Sequence, residues 1–164
     1  MSEDQFIKEC EDSDKFDNFQ MNEIRLGFEH GSTMEQVKFY TQTEFNNVQM
    51  REIREGFENG LSMEQIKVYA KPEFNWLQMY QIHEGFKDNL TMEQIKLFAD
   101  FKFDCNQMWE IRRGFKNNLS IDQVKVYAKP KFDDKQMQQI REFIIENKNI
   151  SINTIKFLMA LNYI

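Results

Sequence analysis

The chain has 164 residues and carries 21 Lys plus Arg against 27 Asp plus Glu. The net charge of -6 argues against a mainly electrostatic grip on nucleic acid or anionic lipid. Hydrophobic residues at 41%, with 16 Phe and 10 Met, exclude a disordered chain, and two Cys are too few for a disulfide scaffold or a thiolate metal cage. The acidic start, Met1 to Phe6, reads as no signal peptide, and the longest apolar run, Phe157 to Leu161, is far short of a membrane span, so a cytoplasmic protein is expected.

The first element is a short helix over residues 2 to about 12, opened by Ser2 with Gln5 three residues later; it reads as a half-repeat, 1–15, with a net charge of -4. From residue 16 the chain repeats itself. A Phe followed by Asp or Asn recurs every 29 residues at Phe16, Phe45, Phe74, Phe103 and Phe132, and Gln-Met follows four residues later in each copy, from Gln20-Met21 to Gln136-Met137. The copies run 16–44, 45–73, 74–102 and 103–131, and a C-terminal capping copy with a two-residue insertion runs 132–164.

Each copy reads as two helices. Asp17, Asn46, Asn75, Asp104 and Asp133 stand three residues before the recurring Gln, the spacing of a capping box, which starts helix A near 18, 47, 76, 105 and 134. The Phe before the cap and the Met after it occupy the two positions of a hydrophobic staple. Thr33, Ser62, Thr91 and Ser120, each with Gln three residues on, start helix B. Gly31, Gly60, Asn89, Asn118 and either Asn147 or Asn149 stand between the helices, where a left-handed residue ends a helix. Pro72 and Pro130 stop helix B. Apolar residues at helical spacing, such as Met50, Ile53 and Phe57, or Met63, Ile66 and Ala70, mark the core. The expected fold is all-α: a short α-solenoid of stacked αα-hairpins. Gly27, Gly56, Gly85 and Gly114 recur inside helix A and give way to Phe143 in the last copy; close approach by the following repeat is the expected reason.

The unit from Gln49 to Phe74, Gln-Met-x-x-Ile-Arg-x-Gly-Phe-Glu-x-Gly-Leu-Ser-x-Glu-Gln-Ile-Lys-x-Tyr-Ala-x-Pro-x-Phe, resembles tandem repeats in uncharacterised proteins of Firmicutes and related gut bacteria, often carried on conjugative elements or prophages. The resemblance covers nearly the whole chain. It implies a helical repeat and a mobile-element setting, in which an inhibitor of a host defence complex, of anti-CRISPR or anti-restriction type, is one expectation. It brings no catalytic residues.

The inventory for chemistry is poor. His30 and His83 lie too far apart in the repeat to act as a ligand pair, Cys10 and Cys105 are separated by several copies, and there is no phosphate loop or nucleophile elbow, so no enzyme, metal or cofactor is expected. Arg25, Arg54, Arg112 and Arg141 follow the core Ile; Arg25 with Glu29 and Arg54 with Glu58 read as i,i+4 pairs, against the alternative of a phosphate-binding ladder.

Binding in a repeat stack belongs to positions that differ between copies. On one face of helix A the third copy carries Trp76, Tyr80 and His83, and the fourth carries Trp109 and Arg112; these five residues are the candidate site for a protein partner, with gap-filling between repeats as the alternative role of the Trp residues. Charge runs from -4 over residues 1–15 to +3 over 103–131, which allows head-to-tail self-association. Nucleic acid, the alternative partner, would call for a basic stripe along every copy. A purely structural adaptor is the third reading.

Overall fold

The computed structural model describes residues 1–41, 44–147 and 149–161; positions 162–164 of the last copy lie outside the described residues. Among the described residues there are eleven α-helices and no strand. They are α1 (Glu3–Asp12), α2 (Asn18–Glu29), α3 (Met34–Tyr40), α4 (Asn47–Glu58), α5 (Met63–Tyr69), α6 (Trp76–Lys87), α7 (Met92–Phe98), α8 (Cys105–Lys116), α9 (Ile121–Tyr127), α10 (Asp134–Glu146) and α11 (Ile152–Ala160). The even-numbered elements are helix A of each copy, and α1 stands where the half-repeat was expected.

Capping fixes where each helix begins. In α4 the Gln49 N–H donates to Asn46 Oδ1 at 3.0 Å while the Asn46 N–H donates to Gln49 Oε1 at 3.0 Å. The same reciprocal box opens every helix from α1 to α10. Helix A ends in the first four copies on a residue at positive φ, Gly31 at 85°, Gly60 at 80°, Asn89 at 58° and Asn118 at 60°. The next N–H then turns back onto the recurring glycine, as in Leu61 N–H to Gly56 O at 3.0 Å. The last copy departs from this at Asn147, which caps α10 at φ -111°.

The packing divides into two compact units, Met1–His83 and Glu84–Ile164. In the first, α1 packs on α2, α2 on α3 and α4, and α4 on α3 and α5. Its buried core includes Ile24, Val37, Tyr40, Phe45, Met50, Ile53, Ile66 and Tyr69. In the second, α8 packs on α7, α9 and α10, and α9 on α10 and α11. Ile95, Phe98, Met108, Ile111, Val124, Tyr127, Ile144 and Ile155 fill that core. In both units a helix A lies against the helix A of the next copy.

The recurring glycine is explained differently from the sequence expectation. What approaches it is helix B of its own copy: a Cβ built on Gly56 would stand 2.0 Å from the Tyr69 hydroxyl, and on Gly27 and Gly114 1.8 and 1.9 Å from Tyr40 and Tyr127. Each hydroxyl donates to the carbonyl four residues before its glycine, Glu23, Glu52 or Glu110, at 3.3 to 3.5 Å. Burial, reinforced by the nearby glutamates, pushes all three phenols well above their ordinary range. The third copy has Phe98 in place of Tyr, and the contact at Gly85 loosens to 2.9 Å from that ring.

Candidate functional site

Two sets of polar side chains in helix A hold one copy to the next. The recurring Gln caps its helix with Oε1 and uses Nε2 on the following copy: Gln49 Nε2 donates to Pro72 O at 3.2 Å and Phe74 O at 2.7 Å, Gln107 Nε2 to Pro130 O at 3.2 Å and Phe132 O at 2.6 Å, and Gln20 Nε2 to Phe45 O at 2.8 Å. A glutamate would cap equally well and could donate nothing. The second set joins a buried acid to a base 31 residues later. Arg54 Nε donates to Glu23 at 2.9 Å and Arg141 Nε to Glu110 at 2.7 Å. Burial pulls the Arg54 guanidinium down, but its bonds to Glu58 and Glu23 outweigh this and hold its pKa above the ordinary value.

These interlocks decide the fate of the basic candidates. Arg54 does pair with Glu58, at 2.6 Å, but Arg25 reaches Glu11 of α1 at 2.6 Å instead of Glu29. His83 takes the base position opposite Glu52, with Nδ1 3.7 Å from Glu52 Oε2, Nε2 3.2 Å from Asn59 Nδ2, and its ring stacked on Tyr69 at 6.2 Å. It is only 3% exposed, so its expected place on an open binding face is corrected: the face of α6 is open in its first two turns and covered by Tyr69 in its third. Arg112 is likewise 9% exposed, with Nη1 3.4 Å from Asp88 and 3.6 Å from Glu84. It therefore braces its own unit rather than a partner.

The three aromatic candidates stand at the surface. Trp76 is 44% exposed and Tyr80 40%, with Leu77 exposed beside them, all on α6 in the first unit. Trp76 walls a shallow groove of about 270 Å³ with Val48, Arg51, Glu52 and Glu55. Burial, then the charge of Glu52, raises the pKa of Glu55 there. In the second unit Trp109 is 38% exposed, and its ring carries the Arg113 guanidinium at 4.4 Å. Arg113 thus supplies the basic edge expected of Arg112. A groove of about 490 Å³ joins Trp109 to Arg112, Arg113 and Lys116, of which Arg112 and Lys116 are paired with Asp88 at 3.4 and 2.8 Å. Exposed Phe19 on α2 was missed, because it lies one position off the face chosen from the repeat.

Among the described residues no group of three His, Cys, Asp or Glu side chains is placed to hold a metal, and no helix is long and apolar enough to cross a membrane. Burial, helped by Glu9 and Glu11, pushes the Cys10 thiol up, away from thiolate chemistry. Comparison with protein-family models, with curated proteins and with solved structures finds no match.

Proposed function

We propose that the chain is a non-enzymatic protein-binding module, an α-solenoid of two-helix copies that docks on a protein partner through Trp76, Tyr80 and Trp109. The observation that carries this reading is the exposure of both Trp residues at positions that vary between copies, while the repeated apolar residues are buried. The helix-A-on-helix-A packing within each unit supports the solenoid. In the mobile-element setting that the repeat resemblance implies, a component of a host defence complex is the first partner to test. A pull-down with Trp76→Ala and Trp109→Ala, each checked by thermal melting, tests the reading: capture lost by at least about thirtyfold with melting unchanged supports it. Unaffected capture, or unfolding of both variants, refutes it.

The basic groove beside Trp109 favours one second reading, a nucleic-acid-associated protein using the C-terminal copies. A gel shift that weakens steeply with salt and disappears in Arg113→Glu would favour it over the first.

A further inference from the structure

We propose that a groove between α10, α11 and the segment leading into α10 docks an acidic peptide carrying a Pro-x-Phe turn. The groove has a volume of about 550 Å³ and presents Lys129, Lys131 and Lys156 around a floor that includes Ile140 and Met159; none of its described lining residues is acidic. Its occupant is therefore anionic at the rim and apolar at the centre.

The repeat itself specifies the backbone of that occupant. Gln136, which also lines the groove, is the fifth of the helix-A glutamines. In α4 and α8 the equivalent amide nitrogen binds two carbonyls two residues apart, on Pro and Phe of a turn: Pro72 with Phe74, and Pro130 with Phe132. That turn is closed by the Phe132 N–H to Lys129 O bond at 3.0 Å, and by Phe74 N–H to Lys71 O at 3.1 Å. Gln136 makes the capping box with Asp133 through Oε1 and its backbone N–H, and its Nε2 donates to no group among the described residues. The donor is thus oriented by its cap and available for the same pair of carbonyls from another chain. Peptide is favoured over nucleic acid because the floor is apolar and, among the described lining residues, the aromatic ring at the rim, Phe132, is already covered by the Lys131 ammonium at 4.9 Å.

This surface is separate from Trp109, so its test does not depend on the function proposed above. The probe is a fluorescein-labelled acetyl-Glu-Asp-Pro-Glu-Phe-Asp amide, read by polarisation against the intact chain, with a scrambled peptide and a Lys-substituted peptide as controls. The expected result is saturable binding of the first peptide alone. Gln136→Glu keeps the capping box and removes the donor, so it should weaken binding by about tenfold or more with melting unchanged. Lys131→Glu and Lys156→Glu should do the same, and Trp109→Ala should not. The proposal is overturned if there is no binding up to about 1 mM peptide, if the scrambled peptide binds equally, or if all three groove variants bind like the parent. It is also overturned if a single-stranded oligonucleotide competes more tightly through the same lysines.

Discussion

Gly56→Ala isolates the contact between the two helices of one copy. In a solvent-exposed helix, replacing Gly by Ala is stabilising by roughly 0.5 to 1 kcal/mol. Here the new methyl would stand 2.0 Å from the hydroxyl of Tyr69 and 2.6 Å from Ile66 Cδ1. The isoleucine methyl can swing away, but the Tyr69 ring is fully buried and its hydroxyl is tied to Glu52 O at 3.3 Å, so the ring or the helix must move. Overpacking of this kind costs about 1 to 3 kcal/mol, which offsets the propensity gain and leaves a net loss of up to about 2.5 kcal/mol. At this chain length that is a fall in Tm of up to roughly 10 °C. Tyr69→Phe alone should cost about 0.5 to 1.5 kcal/mol for the lost hydrogen bond. In that background the nearest ring atom is Cζ at 3.3 Å, a tight contact that needs the ring to give by only a few tenths of an ångström, so adding Gly56→Ala should then cost less than it does in the parent. The double-mutant cycle, measured by denaturant unfolding, should show a favourable coupling of about 1 to 2 kcal/mol. Gly60→Ala serves as the control: nothing lies within 4 Å, but φ is +80°, so its penalty should be unaffected by Tyr69→Phe. If Gly56→Ala costs the same with and without the hydroxyl, or stabilises the parent, close approach by Tyr69 is not why glycine stands there.

The interlocks and the buried phenols make further predictions. Arg141→Met leaves Glu110 buried and unpaired and should cost about 3 to 5 kcal/mol, part of which Glu110→Gln restores; urea melts of the two variants check this, and a loss below about 1 kcal/mol in Arg141→Met would contradict it. His83→Arg places a permanent cation with longer reach opposite Glu52, as Arg54 and Arg141 are placed opposite Glu23 and Glu110, and should raise Tm; a drop would show that the stacking on Tyr69 matters more. Tyr40, Tyr69 and Tyr127 have folded pKa values raised above the ordinary value of 10.0. The folded state therefore keeps its phenol protons where the unfolded chain has lost them. Their contribution is fully present below about pH 10 and falls as pH rises through that value, by up to about 1.4 kcal/mol per pH unit for each phenol. Melts between neutral and alkaline pH should show a shallower decline in Tyr69→Phe than in the parent. Gln107→Glu should destabilise the second unit by aiming a carboxylate at the Pro130 and Phe132 carbonyls, whereas Gln136→Glu should leave melting unchanged.

Helix positions were legible in the sequence because their signals are local. A capping box spans four residues, and its position alone set the start of α2, α4, α6, α8 and α10 to the residue. The ends were equally local in the first four copies, where Gly or Asn meets a left-handed φ, whereas in the fifth Asn147 caps α10 at φ -111°. The reason for the recurring glycine was misassigned because the explaining partner, Tyr40, Tyr69 or Tyr127, lies 13 residues downstream on another helix. Its signal was present, since the third copy alone has Phe at that position and the contact there is the loosest.

The candidate site was harder because one column of the repeat does two jobs. Position nine after the anchoring Phe holds Arg25, Arg54, His83, Arg112 and Arg141, and a face drawn through it from Trp76 or Trp109 treats all of them as surface. The base at this position is instead consumed by acids: Glu11 for Arg25, Glu23 for Arg54, Glu110 for Arg141, with His83 facing Glu52 and Arg112 facing Glu84 and Asp88. Three of the acids, Glu23, Glu52 and Glu110, recur at the 29-residue period themselves, so the pairing over 31 residues could be read as two periodic columns of opposite charge offset by one copy and two residues. Variation at such a position, as at His83, then reports a change in the interlock and not a contact with a partner. Variation at Trp76, Tyr80 and Trp109, one or two turns earlier on the same helices, lies outside these two charge columns, with Trp109 carrying Arg113 of its own helix, and it is there that selection for an external surface can act.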